Sequence, residues 1–412
     1  MSAPPGAVDA PPPPAGGGAA RAPTPRPGRL ARLAAAGDAL LLPALALLTA
    51  LVVGGLVIAF SDPDVLDEWG SFLRDPLGAL GASWSAASDA YEALWRASLG
   101  SRAGLGRTLV ETAPLALAGL SVAFAFRAGL FNIGAAGQLV IGATCAGWVG
   151  FTWDLPAPLH VAVAVVAGLL GGAVWGGTAG ILKARTGAHE VITTIMLNYV
   201  AYNLLNAALR SDAFQPAGRD DLISRAVAPS ARLPELTLGG VTAHAGLLVA
   251  LAATAAASWL LDRSTVGFHL RAVGANPRAA RYAGMSVAAM YVLAMGVAGG
   301  LAGLAGTVNV LGRPSFTLTS GYYSFIGFDA IAVALLGRAH PGGVLAAAFL
   351  FGVLRAGSTG MQAATSTPVD IIVVIQALVI LFVAAPALVR SLYRVRTGRS
   401  TTQSFSTGWG AG

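Results

Sequence analysis

The feature that most constrains this chain is a series of apolar runs, each about as long as a bilayer is thick. A transmembrane helix needs roughly 20 mostly apolar residues, because the hydrocarbon core offers its backbone no water to hydrogen-bond. The 412-residue sequence supplies ten such runs, at 39–60, 108–126, 134–153, 160–182, 190–209, 244–261, 286–311, 324–337, 342–357 and 368–389. They predict an all-α, polytopic integral membrane protein with about ten transmembrane helices.

The overall composition supports this class of protein. Hydrophobic residues make up 55% of the chain, charged residues 11%, and the mean hydropathy is +0.68, which exceeds what a water-soluble core of this length requires. The runs at 324–337 and 342–357 are short for a span. Arg338, His340 and Pro341 between them predict either a tight turn or a re-entrant segment.

The charge distribution predicts the orientation of the chain. Membrane proteins retain Lys and Arg in cytoplasmic loops, and ten spans with both termini in the cytoplasm place most basic residues of this chain there. The outer segment 61–100 carries seven acids against two arginines. This bias explains the net charge of +7 without a nucleic-acid partner.

The two ends of the sequence are unlike its middle. We interpret residues 1–37, which begin with a stretch rich in Pro, Gly and Ala and show no signal-peptide pattern, as a disordered cytoplasmic tail. Residues 38–389 form the transmembrane domain, and 390–412 form a second cytoplasmic tail. Cys145 is the single cysteine, so no intrachain disulfide is expected.

One polar segment between two apolar runs, residues 262–284, contains four arginines and a single aspartate. A basic loop with turn residues between two spans is expected in the cytoplasm. Its middle is expected to form one short helix, or two interrupted at Asn276–Pro277, lying along the membrane surface. Another protein can bind such a segment.

The sequence lacks the common signatures of catalysis. The phosphate-binding pattern GxxxxGK[ST] is absent, since the single lysine, Lys183, lies in ILKARTG. The five histidines have no metal-ligand spacing, and no GxSxG motif occurs. We therefore expect no enzymatic activity and no metal or cofactor on the chain itself.

Three polar islands interrupt the apolar runs. A charge at the bilayer midplane costs about 2.5 kcal/mol or more, so polar groups at that depth need a partner or a function. The first island, 129–142, contains Asn132 and Gln138 among four glycines. It predicts either a small-residue helix crossing or a broken segment that lines a permeation path.

The second island, residues 188–206, carries Glu190, Thr194 and Asn198 at intervals of four, hence on one helical face. Such a stripe faces protein or a water-filled cavity rather than lipid. His189 and Glu190 fit a capped helix end as well as a functional site.

The third island, residues 320–337, contains Asp329, the most deeply placed acid in any run. Phe325 and Phe328 before it fit either an interfacial aromatic belt or a stacking site for a flat ring. Asn309, on the preceding run, is expected to join them.

Two other charged residues, Glu111 and Arg355, are interpreted as end-of-span groups whose side chains extend towards water. The small-residue stretch before LFNIG at 130–134 and the glycine-rich stretch 296–306 before FIGF at 325–328 suggest an inverted repeat.

Four ordered motifs resemble the permease subunits of bacterial nucleoside importers of the ATP-binding cassette (ABC) class, within the wider group of ribose and branched-chain amino acid permeases. The motifs are FNIGAAGQLVIGA, EVITTIMLNYVA, GFHLRAVGANPRAARYAGM and GFDAIAVALLGRAHPGGVLAAAFLFGVLRAG. The resemblance extends over residues 105–388. The family commonly reads FNIGAEGQ, whereas this chain has Ala136 in place of the acid. If that acid contacts substrate or the partner permease, its role is absent here or is supplied by the other chain.

The resemblance implies a multi-pass subunit of the bacterial plasma membrane that imports a nucleoside or a simple sugar. It also implies three partners: a second permease chain, alike or different, an ATP-binding subunit that holds ATP and Mg²⁺, and an extracytoplasmic substrate-binding lipoprotein. The residues expected along the substrate pathway are Phe131, Asn132, Gln138, Asn198, Tyr199, Asn309, Phe325, Phe328 and Asp329. Those expected to couple to the ATPase are Gly267, Arg271, Ala272, Val273, Gly274, Asn276, Pro277, Arg278 and Arg281.

Two alternative functions stay open at this point. An ion-coupled secondary transporter would use Asp329 or Glu190 as a proton carrier and would need no ATPase. A membrane enzyme or scaffold would act without partners. The basic loop favours the ABC class, because a proton carrier has no use for a docking segment.

Overall fold

The computed structural model describes residues 29–216, 218–219, 221–321, 326–365, 368 and 370–394. Within these ranges the chain forms fifteen α-helices and one β-hairpin. The helices are α1 Arg29–Ser61, α2 Pro63–Gly70, α3 Pro76–Ser98, α4 Arg102–Arg127, α5 Ala135–Thr152, α6 Ala157–Thr186, α7 Glu190–Leu209, α8 Gly246–Arg263, α9 Thr265–Ala275, α10 Pro277–Tyr282, α11 Val287–Gly312, α12 Ile326–Leu336, α13 Pro341–Thr365, α14 Asp370–Ala384 and α15 Pro386–Tyr393. The hairpin pairs β1 (Glu235–Leu238) with β2 (Val241–His244) in antiparallel register.

The long helices correspond to the predicted apolar runs. Among the described residues, eight helices are long and apolar enough to cross a bilayer: α1, α4, α5, α6, α7, α8, α11 and α13. The predicted runs 324–337 and 368–389 correspond to α12 and α14, which have 11 and 15 residues. Each is too short to cross a hydrocarbon core of about 30 Å alone at 1.5 Å per residue. The prediction of an all-α, polytopic membrane protein is confirmed, while the count of ten spans depends on these two helices.

Both predicted boundaries of the transmembrane domain differ from the structure. Residues 29–37 begin α1 instead of belonging to a disordered tail, since this stretch is rich in Ala, Leu and Arg, which favour helix. Ala385 separates α14 from α15, which begins at Pro386 and continues beyond the predicted boundary at 389. The remaining parts of the two predicted tails, 1–28 and 395–412, lie outside the described residues.

The predicted turn or re-entrant segment between α12 and α13 is a tight turn. Arg338 and Ala339 adopt φ values of +53° and +50°, and the Ala339 N–H donates to the Ala334 carbonyl at 2.8 Å. Arg127 Nε, at the end of α4, donates to the Ala339 carbonyl at 2.9 Å. This bond holds the turn against the end of α4.

Helix α4 occupies the centre of the bundle. Every residue from Thr112 to Ala125 is buried, and the helix packs against α3, α5, α8, α11, α12 and α13. A helix that is apolar on all sides is stable only inside other protein or lipid. Pro114 lies within it and removes the hydrogen bond that would otherwise reach the Val110 carbonyl.

A stripe of glycines brings α6 and α11 into backbone contact. A Cβ atom on Gly303 would overlap the Gly168 carbonyl and lie 2.9 Å from Gly172 Cα. A Cβ atom on Gly176 would lie 2.8 Å from Gly299 Cα. Because lipid is as apolar as the side chains, van der Waals packing of this kind drives helix association in membranes.

The basic turns meet at one end of the bundle, which we call the inner face; the opposite end is the outer face. The carbonyl of Arg127 contacts Gly274 in α9. Lys183, at the end of α6, pairs with Glu190, at the start of α7, at 2.8 Å. This clustering agrees with the cytoplasmic location predicted for the basic segments.

The outer face carries the loop that connects α7 to the hairpin. The Ser224 N–H donates to the Leu318 carbonyl at 2.9 Å, and the Ala228 N–H donates to the Gly150 carbonyl at 2.8 Å. These bonds tie the loop to the end of α5 and to the segment that follows α11.

The glycine crossing generates a stability prediction. Gly303→Ala is expected to force α11 away from α6 and to lower the free energy of unfolding by about 1–3 kcal/mol, since the added methyl meets backbone that cannot move aside. The measurement is the temperature at which the detergent-solubilised protein loses its monodisperse size-exclusion peak. The matched control is Gly177→Ala on α6, where a Cβ atom would meet no heavy atom within 4 Å. Equal midpoint temperatures for the two variants would contradict the packing argument.

Candidate functional site

A break in the backbone separates α4 from α5 near the inner face. Gly129, within this break, adopts φ = +72°, a left-handed conformation that glycine reaches without strain. The N–H groups of the first turn of α5 have no partner within that helix. Within the membrane these N–H groups must find hydrogen-bond acceptors in other parts of the protein.

Two amide side chains accept hydrogen bonds from the backbone of the break, and a third holds one of them in place. Asn132 Oδ1 accepts from the Gly134 N–H at 3.1 Å, and Asn132 and Gln138 exchange two amide hydrogen bonds at 2.9 and 3.1 Å. Asn198, from α7, accepts from the Gly137 N–H at 2.8 Å. The three side chains belong to residues that are 0, 2 and 4% exposed. In this conformation they hold the break together, and their predicted contact with substrate stays a prediction.

The polar stripe on α7 faces protein, as predicted. Glu190, Thr194 and Asn198 are 8, 0 and 4% exposed. Tyr199, which was placed on the same pathway, is 60% exposed and pairs edge-to-face with Tyr202 at 6.3 Å. It therefore lies on a different face of α7 from the amide side chains.

Two further positions near the break are close-packed. The ring of Phe131 lies 5.0 Å from that of Phe126, at the end of α4. Ala136, which replaces the acid common in the resembled family, is 1% exposed and contacts Gly327 of α12. A Cβ atom on Gly327 would overlap Ala136, so the alanine lets α12 approach α5 where a longer side chain has no space.

Four charged side chains from different elements meet nearer the outer face, and we call them the outer ion cluster. Arg355 of α13 pairs with Asp329 of α12 at 2.9 Å and lies 3.9 Å from Glu111 of α4. Glu111 also pairs with Arg313, which follows α11. The side chains of Arg355, Glu111 and Asp329 are 19, 18 and 17% exposed. Two acids and two bases thus balance their charges in a mostly buried position.

Glu111 and Arg355 do not extend towards water as interpreted: both side chains are mostly buried and paired with opposite charges. Helix α4 begins at Arg102 and α13 continues to Thr365, so both charges lie inside helices that are longer than the apolar runs suggested. Glu111 is nine positions into α4, roughly 14 Å from its outer end at 1.5 Å per residue. A charge at that depth needs an opposite charge, which each residue finds on another helix.

Asn309 lies one turn before Arg313 and on the same face of α11. It is 5% exposed, and its Oδ1 accepts no hydrogen bond from the part of the chain that the structure describes. A buried amide oxygen without a donor costs free energy, so this atom is a candidate acceptor for a ligand or a water molecule. Phe328, the neighbour of Asp329, is 60% exposed, and Phe325 lies outside the described residues.

His244, at the end of β2 on the outer face, is a neutral neighbour of this cluster. It is 4% exposed, and its Nδ1 accepts from the Gly246 N–H at 3.1 Å. Burial, followed by the positive charge of Arg313, lowers the pKa of His244 to about 4. The imidazole therefore adds no charge next to Arg313 at neutral pH.

The basic loop at the inner face forms two helices, α9 and α10, interrupted at Asn276–Pro277. Asn276 has φ −159° and ψ 102°, the extended conformation expected before proline. Its Oδ1 accepts from the Ala279 N–H at 3.0 Å and so caps α10. The second of the two predicted arrangements is the one found.

The residues predicted to couple to an ATPase divide into a buried set and an exposed set. A Cβ atom on Gly267 would overlap the Leu260 carbonyl, and Val273 is packed with Ala280 and Val287. Arg271 and Ala272 are half-buried. The exposed residues of the segment include Phe268, Asn276, Pro277, Arg278, Arg281 and Tyr282. Phe268 and Tyr282, 55 and 94% exposed, were missed because sequence does not distinguish an exposed aromatic residue from a buried one.

Helix α9 directly contacts the break between α4 and α5. A Cβ atom on Gly129 would lie 3.0 Å from Gly274 Cα, so the two backbones touch. A side chain at Gly274 would overlap the Arg127 carbonyl. The end of α9 therefore packs directly on the end of α4.

The chain forms a multi-pass helical bundle with a hydrogen-bonded break between two of its helices. It also has a mostly buried ion cluster and an exposed pair of basic helices. These are features of a membrane permease. The chain belongs to the family described as "Branched-chain amino acid transport system / permease component", which matches residues 104–384. It is a multi-pass protein of the plasma membrane. The match begins within α4 and leaves α1, α2 and α3 outside it.

Several characterised proteins are similar to this chain. The guanosine ABC transporter permease of Bacillus subtilis is 40% identical over 300 residues, covering 73% of this chain and 86% of the relative. A nucleoside ABC transporter permease of Lactococcus lactis is 36% identical over 311 residues, covering 73% and 84%. A glucose ABC transporter permease of Haloferax volcanii is 35% identical over 352 residues, covering 82% and 86%. No solved structure matches the chain.

The outer ion cluster generates a double-mutant prediction. Asp329→Asn and Arg355→Gln are each expected to destabilise the protein, because each leaves an opposite charge at membrane depth without its partner. The double variant should lose less than the sum of the two, with a coupling energy of about 1–2 kcal/mol. Unfolding in detergent, followed by size-exclusion or intrinsic fluorescence, measures the four stabilities.

The matched control is the exposed pair Glu92 and Arg96 on α3, whose side chains are 55 and 74% exposed. The cycle of Glu92→Gln with Arg96→Gln should give a coupling energy of about 0–0.5 kcal/mol. Additive losses at Asp329 and Arg355, equal to the control, would mean that the cluster is not an energetically coupled unit.

Proposed function

We propose that the chain is the permease subunit of an ABC importer that carries nucleosides into the cell, with ATP hydrolysed by a separate subunit. The observation that carries this proposal is the 40% identity over 300 residues to a guanosine permease. The chain has no GxxxxGK[ST] loop, so the energy must come from a partner. The exposed face of α9 and α10 is the docking surface we assign to that partner.

The outer ion cluster and Asn309 form the polar part of the proposed pathway. Carboxylates accept hydrogen bonds from ribose hydroxyls and from the amino groups of a base, and guanidinium groups donate to carbonyl and hydroxyl oxygens. The unpartnered Oδ1 of Asn309 adds one acceptor. Phe328, exposed beside Asp329, offers an aromatic face on which a base can stack.

A second permease chain is proposed to complete this pathway. The side chains of the cluster are 17–37% exposed on one chain, although Glu111 and Arg355 lie within candidate membrane-spanning helices. Charged groups at that depth face protein or water rather than lipid. A cavity shared between two permease chains meets this requirement, and an extracytoplasmic binding lipoprotein would deliver the nucleoside to it.

Helix α4 provides a mechanical connection between the two ends of the site. At its inner end, Arg127 and Gly129 contact Gly274 of α9. Sixteen positions earlier, roughly 24 Å away along the helix, Glu111 holds Arg313 and Arg355. Closure of the ATPase would move α9 and α10, shift the end of α4 and rearrange the ion cluster, so that the cavity changes sides.

The alternative of a proton-coupled transporter loses its main support. The two carboxylates proposed as carriers are paired, Asp329 with Arg355 at 2.9 Å and Glu190 with Lys183 at 2.8 Å. In this structure both carboxylates are therefore engaged by a base on a neighbouring element, and neither is a free acid.

Uptake in competition tests the substrate. Cells that express the chain with its ATPase and second permease should accumulate labelled guanosine, and unlabelled nucleosides in tenfold excess should displace it while glucose and ribose do not.

The same uptake assay tests the energy source. Uptake should fail when the phosphate-loop lysine of the ATPase subunit is substituted. It should persist in the presence of a protonophore when ATP is maintained. Displacement by a sugar but not by nucleosides would contradict the proposed cargo, and uptake without the ATPase would contradict the ABC mechanism.

Charge reversal tests the docking surface. Arg278→Glu combined with Arg281→Glu should lower uptake and substrate-stimulated ATP hydrolysis at least tenfold, equivalent to about 1.4 kcal/mol or more, because both exposed guanidinium groups would be replaced by acids. Both residues are exposed, so folding should be unaffected. Arg263→Glu is the matched control, since it is exposed in the same basic loop but lies at the end of α8. Normal uptake and stimulated hydrolysis in the double variant would exclude the coupling role.

A further inference from the structure

The helices α2 and α3 lie outside the family match, between the outer end of α1 and the start of α4. The C-terminal half of α3 is fixed to the bundle. The Tyr91 hydroxyl donates to the Leu51 carbonyl of α1 at 2.5 Å. A Cβ atom on Gly357 of α13 would lie 2.6 Å from Leu94 Cγ, and Thr108 of α4 donates to the Ser98 carbonyl at 3.1 Å. This half of α3 therefore packs against α1, α13 and α4.

An apolar stripe lies on the N-terminal part of α3 and on the turn before it. Among the described residues, no protein segment covers this stripe. Leu73, Leu77, Leu80 and Trp84 are 97, 81, 52 and 77% exposed. From Leu77 onwards the spacing of three and four places the side chains on one side of the helix. The other side is covered: Ala79 is fully buried, and α2 packs on α3.

The stripe continues the exposed apolar face of a candidate span. Helix α1, a candidate span, exposes Leu48, Val52, Leu56 and Phe60 at intervals of four, with 50, 57, 54 and 47% exposure. At its outer end the ring of Phe60 lies 5.3 Å from Trp69, which stacks on Phe72 at 4.8 Å. Aromatic residues concentrate at the level of lipid headgroups, so this cluster marks the boundary of the bilayer beside α2 and α3.

We propose that α2 and α3 form a membrane-surface anchor, with the stripe of Leu77, Leu80 and Trp84 inserted into the outer leaflet at the boundary between headgroups and acyl chains. Helices with one apolar and one polar face adopt this position. Residues 62–75 contain five acids and one arginine, so attraction to anionic lipid is not the source of binding. The occupant of the stripe is therefore the hydrocarbon of the lipid surface.

Site-directed spin labelling of the assembled transporter in lipid nanodiscs tests this anchor. Cys145→Ala removes the single native thiol, and labels are then placed singly by Leu77→Cys and Trp84→Cys on the stripe. Val52→Cys on the exposed face of α1 is the reference for lipid contact. Asp89→Cys is the matched control, since Asp89 is an exposed polar residue elsewhere on the same helix.

Power saturation compares the collision rate of each label with oxygen, which concentrates in lipid, and with a water-soluble nickel chelate. The ratio of oxygen to nickel accessibility at positions 77 and 84 should be about threefold or more above that at position 89 and close to that at position 52. A ratio at 77 and 84 equal to that at 89 would place the stripe in water and overturn the anchor. Low accessibility to both reagents would show that another protein segment or the second permease covers the stripe, and would equally overturn it.

Each label position is an exposed side chain, so loss of folding is not expected. Co-purification of the labelled chain with its ATPase and second permease in one size-exclusion peak verifies assembly. The proposal of a membrane-surface anchor and the proposal of a nucleoside cargo can each be contradicted without affecting the other. A complex that carries another solute could still show lipid contact at position 77, and a nucleoside importer could show water contact there.

Discussion

The absence of water in the bilayer core is the constraint on which the rest of this structure depends. A helix that ends at membrane depth leaves backbone N–H and carbonyl groups that only the protein itself can satisfy. The break between α4 and α5 is possible because Asn132 and Asn198 accept those bonds from buried positions, while Gln138 holds the Asn132 amide in place. The break in turn gives α9 a place to contact the end of α4.

The same constraint explains the outer ion cluster. Glu111, Arg313, Asp329 and Arg355 could not be tolerated singly, and their mutual pairing removes most of the cost of each charge. Such a balanced group has more than one way to pair, because Arg355 already lies within reach of both acids. A set of charges that can exchange partners suits a pathway that must bind a polar solute in one conformation and release it in another.

Several elements were predictable because they depend on a short stretch of sequence. The polar stripe of Glu190, Thr194 and Asn198 was identified from its spacing of four, and it is buried as expected. The interruption at Asn276–Pro277 was also expected, since proline restricts the residue before it and an asparagine can cap the next helix. The position of Ala136 against Gly327 could not be foreseen, because it depends on how closely α5 and α12 approach.

The sequence prediction was least accurate for charged residues near the ends of the apolar runs, because their environment depends on how far each helix continues. Glu111 and Arg355 are expected to extend towards water because the apolar runs stop near them, whereas α4 and α13 continue beyond both residues and the two side chains pair with charges on other elements. Asn132 and Gln138 were correctly singled out as unusual, but their hydrogen bonds go to each other and to the backbone rather than to an open cavity.

By itself the sequence determined the class of protein, the approximate number and place of the membrane helices and the interruption of the basic loop. These properties follow from hydropathy, charge and local backbone preference, each of which is read within about 20 consecutive residues. Only the tertiary structure decided which polar groups meet. Glu111 and Arg313 are 202 positions apart in the chain, and their pairing depends on the packing of whole helices against α4, which no local pattern encodes.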